Sequence, residues 1–323
     1  MTDVRILGDD DVADLLSLPA LLSEIERGFL KQGRDEVERP PRPHFPVGAD
    51  TPGTALTMPA YVHGDPTYAT KLASVHDANA DRGLPTVNAQ IAVTDAETGL
   101  PRAYLHGTRV TNARTGCIGG LAARELANEG PVRLGVLGAG AQARWQTRAV
   151  AAATDLDRVR VYSPSDSREA CAADLRERLP GVDVTAVDSP AEAVSGSTVV
   201  VTATTATEPV FDGDDLSPGT LVVAVGAYTA ETRELDARTF ERAARVFADV
   251  PEEVAEVGDV LEAGLDAADF VPLSEVFEGR AGRESDDDIL VVESVGSAVL
   301  DAVTAGWLVE RAEAEGAGDT VEL

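Results

Sequence analysis

Cysteine is scarce in this 323-residue chain, which contains only Cys117 and Cys171. Two cysteines cannot form the several cross-links of a disulfide-stabilised domain, and no CxxC pair is present for a zinc site. We therefore expect two ordinary thiols that are buried or partly exposed. The sequence also shows no other metal-ligating pattern, so no metal is expected.

Long apolar runs are missing as well. No run approaches the roughly 18 residues that a membrane-spanning helix needs. The first residues, MTDVRILGDDDVADLL, lack the basic and then apolar pattern of a signal peptide. We therefore expect a cytoplasmic protein with no membrane partner.

Positive charge is the third scarce feature, because 27 basic residues stand against 56 acidic ones and give a formal net charge of −29. Such a negative field repels phosphate backbones and anionic lipids, which argues against nucleic acid or membrane as a partner. The acids are spread along the chain, as is typical of halophilic proteins in a salt-rich cytoplasm. Lysine is rare in particular, with Lys31 and Lys71 alone.

What the chain does contain is enough apolar material, 44% of its residues, to bury a full core. Its length suits about two domains. The stretch 115–296 alternates apolar runs such as VRLGVLG, STVVVTAT and TLVVAVG with helical patterns. This alternation predicts an α/β domain with a doubly wound parallel sheet.

Residues 1–114 follow another pattern, in which one amphipathic helix, PALLSEIERGFLKQ, precedes several strand-like segments. The sequence Glu97-Thr98-Gly99 predicts a hairpin turn between two of them. A long helix is predicted over GSAVLDAVTAGWLVERAEAEG and is expected to pack back onto these strands. We therefore predict a second, α+β domain formed by 1–114 and 297–323.

A glycine-rich turn follows the first strand of the predicted parallel sheet. The residues Gly138, Gly140, Ala141, Gln142 and Ala143 belong to a GxGxxA sequence that opens a predicted helix. Gly138 permits a tight turn, Gly140 lets the backbone approach a diphosphate, and the helix N-terminus favours anions. The pattern predicts a Rossmann-type dinucleotide site.

The end of the second strand bears on the choice of cofactor. An acidic residue there would bind the ribose 2′-hydroxyl of NAD. This strand ends instead in Ser163 and Ser165, and Arg168 follows, so hydroxyl groups and a guanidinium could accept the 2′-phosphate of NADP. The pattern favours NADP, while the nearby Asp166 leaves NAD open.

The chain resembles the ornithine cyclodeaminase/mu-crystallin family over nearly its whole length, in the order and spacing of PPRPHF, LTMPAY, TYATKLASV, TGLPRAYLHGTRVTNARTG, LGVLGAGAQA, VGAYTAETREL and VVESVGSAVLD. The resemblance implies a Rossmann domain inserted into a domain that binds substrate and forms a homodimer. It also implies an enzyme that acts on small amino or imino acids. Members include ornithine cyclodeaminases, archaeal alanine dehydrogenases and reductases of cyclic ketimine acids.

Three basic residues match the family's clamp for the substrate carboxylate, and the resemblance makes Arg42, Lys71 and Arg114 catalytic and substrate-binding candidates. The chemistry supports them, because an arginine presents a planar fork that matches a carboxylate. Lys71 adds a point charge and can donate a proton when hydride reaches an imine carbon.

Further positions are carried over from the resemblance. It implies a phosphate contact at Thr115 and a wall of the nicotinamide pocket at Thr204. It also implies that Ser294, on the substrate side, and Gly296, on the cofactor side, lie beside the reacting ring.

The sequence departs from the cyclodeaminase pattern at two acidic positions. Tyr228 stands where that pattern has an aspartate, and Leu56 replaces an acid before the Met-Pro pair. Cyclodeamination needs a carboxylate to deprotonate the attacking amine, and tyrosine is a poor base near neutral pH. Tyr228 remains a candidate substrate contact.

We therefore expect an NAD(P)-dependent oxidoreductase that transfers hydride at the α-carbon of a small imino or amino acid. Reduction of a cyclic ketimine acid such as pyrroline-2-carboxylate is the preferred reaction. Alanine dehydrogenase, ornithine cyclodeaminase and a non-catalytic binder resembling mu-crystallin are the alternatives.

Overall fold

The computed structural model describes residues 2–48 and 53–323. The chain divides into two compact units, of which the first combines Met1–Arg114 with Ser297–Leu323 and the second is Thr115–Gly296. Within the described ranges, no helix is both long and apolar enough to cross a membrane.

The first unit is an α+β unit built on an eight-stranded sheet. Its strands run in the order β16-β1-β7-β6-β5-β4-β2, and β3 also pairs with β4. All pairs are antiparallel except β1 with β7. The strands are β1 (Asp3–Leu7), β2 (Val37–Glu38), β3 (His44–Val47), β4 (Gly53–Val62), β5 (Thr67–Val75), β6 (Val87–Asp95), β7 (Pro101–His106) and β16 (Asp319–Glu322).

Helices cover one face of this sheet. They are α1 (Asp9–Leu15), α2 (Leu18–Gly33), the first part of α3 (Gly107–Leu126) and α11 (Ala298–Glu315). The hydroxyl of Ser297 caps α11 by accepting the Val299 N–H. Gly28 of α2 brings the two helix backbones close, since a Cβ there would lie 3.3 Å from side-chain atoms of Leu300 and Val303. The C-terminal helix therefore packs on the N-terminal part of the chain, and the predicted hairpin joins β6 to β7.

The second unit holds an eight-stranded sheet in which every strand pair is parallel. Its order is β10-β9-β8-β11-β12-β15-β13-β14. The strands are β8 (Val132–Leu137), β9 (Leu156–Tyr162), β10 (Asp183–Ala186), β11 (Val199–Thr202), β12 (Leu221–Ala224), β13 (Ala243–Ala248), β14 (Val271–Pro272) and β15 (Ile289–Glu293). The connecting helices are α4 (Ala141–Ala153), α5 (Ser167–Arg178), α6 (Pro190–Val194), α7 (Ala237–Arg242), α8 (Pro251–Val254), α9 (Gly258–Ala263) and α10 (Leu273–Phe277).

The predicted doubly wound sheet is confirmed. Every residue of β11, β12 and β15 is buried, because helices lie on both faces of a parallel sheet. From β8 the chain moves outward through β9 to β10, and then restarts with β11 on the other side of β8. Ligands of such sheets bind at the carboxyl ends of the strands beside this switch point.

The second part of α3 packs closely on α4. A Cβ at Gly116 would come within 2.7 Å of the Trp145 carbonyl oxygen, and one at Gly120 within 2.7 Å of the Ala149 carbonyl oxygen. Glycine at these two positions therefore allows the two helix backbones to approach. This contact fixes the part of α3 that follows Arg114.

Candidate functional site

Lys71 is a buried lysine in the first unit, with only 2% of its surface exposed. Alternation along β5 turns Ala69 and Lys71 to the helix-covered face. The register sets Lys71 between Met58 of β4 and Ile91 of β6, both of which are buried. An ammonium group in this apolar row needs a polar partner.

Asp301 of α11 supplies that partner. Its Oδ2 lies 2.6 Å from Lys71 Nζ, and its Oδ1 accepts a hydrogen bond from Arg114 Nε at 3.0 Å. All three side chains are almost completely buried. One carboxylate therefore joins β5, α3 and α11.

The charges of this cluster shift one another's protonation. Burial lowers the pKa of Lys71 to about 8; Asp301 opposes this fall, while Arg114 and Arg42 add to it. Burial alone would raise the pKa of Asp301, but Arg114 and Lys71 lower it below its usual value. At neutral pH the cluster thus holds an ionised aspartate and a mostly protonated lysine.

One hydrogen-bond donor of Arg114 lacks an acceptor in the described part of the chain. Its Nη1 is buried and has no hydrogen-bond partner among the described residues. Two cations face the single carboxylate of Asp301, and Arg42 lies close enough for its charge to act on Lys71. Buried donors are normally satisfied, so this cluster suits an additional anionic acceptor such as a carboxylate.

The glycine-rich turn of the second unit has the geometry of a diphosphate cradle. Gly138 has φ +114°, and a Cβ there would lie 2.4 Å from the Ala203 carbonyl oxygen. Gly140 is exposed and nothing lies within 4 Å of where its Cβ would be. The first position thus requires glycine, and the second leaves open space at the start of α4.

The N-terminus of α4 is available to an anion. Gly140 is the residue before the helix and has no side chain to cap the first turn, which contains Ala141 and Gln142. Thr115 lies beside α4, because its carbonyl oxygen accepts a hydrogen bond from Gln146 Nε2 at 2.9 Å. The helix N-terminus at Gly140 therefore fits a dinucleotide diphosphate, and Thr115 stays a candidate phosphate contact.

The tip of β9 carries hydroxyl groups. Ser167 Oγ lies 3.1 Å from Ser163 Oγ and 2.7 Å from Ser165 Oγ. Arg168 donates to the carbonyl oxygens of Ser163 and Ser165 and pairs with Asp188 at 3.0 Å. Its Nε is buried without an acceptor in the described chain.

Buried carboxylates hold the loops that follow the central strands. Glu234 accepts the backbone N–H of Thr204 at 2.6 Å and that of Gly226 at 2.8 Å. The backbone N–H of Tyr228 donates to Thr232 Oγ1 at 2.9 Å. The sequence candidates Thr204 and Tyr228 thus lie in loops fixed by hydrogen bonds.

Asp249 likewise accepts hydrogen bonds from the loop that follows β15. Its carboxylate accepts the Ser294 hydroxyl at 2.6 Å and the backbone N–H groups of Val295 and Gly296 at 3.2 and 2.7 Å. The hydroxyl hydrogen of Ser294 is therefore used inside the protein. Only its oxygen remains able to accept a hydrogen bond from a ligand.

Sequence reasoning missed Asp301, Glu234, Asp249 and Asp259. An acid inside the apolar pattern AVLDAVTAGW could have indicated Asp301, since a buried acid requires a partner. The other three lie in segments whose charges resemble a solvated surface. Burial raises the pKa of Glu234 to about 7 and that of Asp259 to about 6, which marks them as interior groups.

Comparison with known proteins gives a consistent result. A model of the ornithine cyclodeaminase/mu-crystallin family matches residues 3–316. A pyrroline-2-carboxylate reductase of Bacillus cereus is 32% identical over 282 residues, which cover 85% of this chain and 86% of that protein.

Two solved structures resemble the whole chain. The pyrroline-2-carboxylate reductase of Thermococcus litoralis, in complex with NADH and L-proline, has a TM-score of 0.94 and 32% identity over 98% of this chain and 100% of that one. An archaeal alanine dehydrogenase dimer with bound NAD has a TM-score of 0.91 and 28% identity over 100% of both chains.

We expect Asp301→Asn to lower the free energy of unfolding by about 3 kcal/mol or more, because Lys71 and Arg114 would lose their buried counter-charge. Thermal and denaturant unfolding measure the change. Glu315→Gln is the control, since it breaks an exposed pair with Arg311 on the same helix and should have almost no effect. Equal stability of the two variants would contradict the role given to Asp301.

Proposed function

Because the chain belongs to the ornithine cyclodeaminase/mu-crystallin family, we propose that it reduces a cyclic ketimine acid, pyrroline-2-carboxylate, to proline. The chain is an NAD(P)-dependent oxidoreductase of that family. The choice of substrate class rests on the buried Nη1 of Arg114 beside Lys71, which has no hydrogen-bond partner in the described chain. The likeness to reductases of this substrate supports it.

Arg114, Arg42 and Lys71 bind the substrate carboxylate in this proposal. Arg114 offers Nη1, a donor that no described residue accepts, and Asp301 keeps its guanidinium oriented. Orientation of this kind supplies much of the rate, because a clamped carboxylate limits the directions in which the reacting carbon can face.

When bound, a nicotinamide cofactor would supply the hydride for the imine carbon, and the C=N electron pair would pass to the ring nitrogen. Gly138, Gly140 and the first turn of α4 would hold its diphosphate, and Thr115 would contribute a phosphate contact. Lys71 donates the proton that the ring nitrogen takes up. Its pKa of about 8 leaves the amine mostly protonated at neutral pH and still able to release a proton.

Oxidation of NADPH with pyrroline-2-carboxylate in molar KCl tests the proposal. We expect rapid loss of the absorbance of reduced nicotinamide and formation of proline. We also expect slower turnover at low salt, because the net charge of −29 is then poorly screened. Turnover of pyruvate and ammonium alone would indicate an alanine dehydrogenase instead.

Proline and ammonia formed from ornithine and NAD would establish a cyclodeaminase despite Tyr228. Binding of cofactor without any turnover would indicate a mu-crystallin-like binder.

Lys71→Met separates binding from catalysis: NADPH binding should persist, while reduction falls by about 100-fold or more. In the unmodified protein, reduction should also decline as the pH rises above about 8, where Lys71 loses its proton.

We propose NADPH as the preferred cofactor. The tip of β9 offers the hydroxyls of Ser163 and Ser165 together with the buried Nε of Arg168, a set of donors that suits a 2′-phosphate. An acid at this place would instead favour NADH.

Arg168→Ala should lower kcat/KM for NADPH by about tenfold or more, because a hydrogen bond to a charged group is lost. The value for NADH should change little. Arg178→Ala removes the same charge from the far end of α5 and is the control. A wild-type preference for NADH that Arg168→Ala leaves unaltered would refute the choice of NADPH.

We further propose that the first unit forms a homodimer through the open face of its sheet. This face carries the exposed apolar side chains Ile6, Tyr68, Leu72 and Tyr104, which are 36%, 37%, 45% and 42% exposed. Ile6 and Tyr104 are neighbours in the register of β1 and β7. An apolar face of this extent favours association, and a second copy is the occupant suggested by the similar dimeric alanine dehydrogenase.

Light scattering should give the mass of a dimer for the wild type and that of a monomer for the double variant Leu72→Glu with Tyr104→Glu, because two charges would be buried at the interface. Leu261→Glu is the control, since Leu261 is equally apolar and 53% exposed but lies on α9 of the second unit. A monomeric wild type, or a dimer that survives the double change, would refute this interface.

A further inference from the structure

Glu234 is a completely buried acid in the second unit that the proposed reaction does not use. In the sequence, Glu234 lies in the segment that connects β12 to α7. Burial raises its pKa to about 7, and its hydrogen bonds, which lower that pKa, come from neutral donors. Burial of a carboxyl group costs desolvation free energy, which an apolar side chain at the same place would not.

The carboxyl group joins the loops that leave two neighbouring strands. Oε2 accepts the Thr202 hydroxyl at the end of β11 and the Gly226 N–H beyond β12, both at 2.8 Å. Oε1 accepts the Thr204 N–H at 2.6 Å. β11 and β12 are parallel and adjacent, so both loops lie at the carboxyl edge of the sheet.

The two loops touch each other at this point. A Cβ at Gly226 would come within 2.3 Å of the Thr204 carbonyl oxygen and 2.6 Å of Glu234 Oε1. A shift of either loop is therefore transmitted to the other, and the carboxyl group between them determines their spacing.

A second buried acid fixes Glu234 itself. Asp259 Oδ1 accepts the backbone N–H groups of Glu234 and Leu235 at 2.7 and 2.8 Å. The chain continues from Gly226 to Tyr228, whose N–H is held by Thr232. The loops are thus anchored to α9 through a continuous series of hydrogen bonds.

We propose that Glu234 is a positioning residue, which holds Thr204 in place for the nicotinamide ring and, through Gly226, the loop of the candidate substrate contact Tyr228. The inference rests on the nicotinamide cofactor of the proposed function, and its fluorescence readout does not depend on the identity of the substrate. The diphosphate turn after β8 packs on this loop through Gly138 and Ala203, but Glu234 accepts its hydrogen bonds from Thr202, Thr204 and Gly226. Loss of Glu234 should therefore affect ring placement more than overall affinity.

Glu234→Gln is the sharpest test, because the shape is kept while one acceptor becomes a donor. In either amide orientation the new NH₂ group faces a backbone N–H, that of Thr204 or that of Gly226. We expect NADH affinity in a fluorescence titration to change little. The fluorescence enhancement of the bound nicotinamide should fall, and kcat should drop by about 10- to 100-fold.

Thr202→Val is the milder second variant, since it removes one donor to Glu234 and favours the strand. It should lower kcat and the fluorescence enhancement in the same sense, without weakening NADH binding. It keeps the proposal testable should Glu234→Gln fail to fold, which thermal unfolding reports. Glu315→Gln, which breaks the exposed pair with Arg311 on α11, is the control for both.

A folded Glu234→Gln with wild-type kcat and wild-type nicotinamide fluorescence would overturn the role of Glu234 and leave the proposed function intact. If Glu234→Gln does not fold, the same result in Thr202→Val has the same meaning. Weaker NADH binding in parallel with a general loss of stability would overturn it too, since it would indicate a purely structural acid. A wild-type protein that binds neither NADH nor NADPH would overturn both proposals.

Discussion

The ion pairs of Asp301 are the interaction on which the first unit depends. Lys71 and Arg114 belong to elements far apart in the sequence, and each would be expensive to bury without a counter-charge. A single carboxylate accepts a hydrogen bond from each cation, and Arg114 Nη1 has no acceptor among the residues that the structure describes. The same contacts that hold β5, α3 and α11 together therefore prepare a site for an external anion.

The second unit buries charged groups of the opposite sign. Among its described residues, the buried charged side chains are acids, and backbone N–H groups and hydroxyls donate to Glu234, Asp249 and Asp259. Glu293 is buried near these three acids, and burial together with their charges raises its pKa well above the usual value. The result is a set of loops whose backbone is held from within, at the edge of the sheet where ligands of this fold bind.

Patterns with a clear period or a fixed spacing predicted the fold well. Continuous apolar strands identified the parallel sheet, and the turn at Gly138 and Gly140 needed little more than its flanking strand and helix. The short strands β1 and β16 were not predicted; they pair with each other at one edge of the first sheet, and only the second is exposed throughout. The partners of Lys71 could not be read from sequence, because Asp301 is 230 residues away and only tertiary packing brings the two together.

The first unit is made from both ends of the chain, with the second unit between them. During synthesis on the ribosome, β5 and α3 emerge long before α11, so Lys71 and Arg114 must wait for their counter-charge. The second unit is continuous and can complete its sheet while α11 is still being made. The substrate-binding chemistry proposed for this protein is therefore the last part to be assembled, and a chain that stops before α11 would expose an apolar sheet carrying two uncompensated cations.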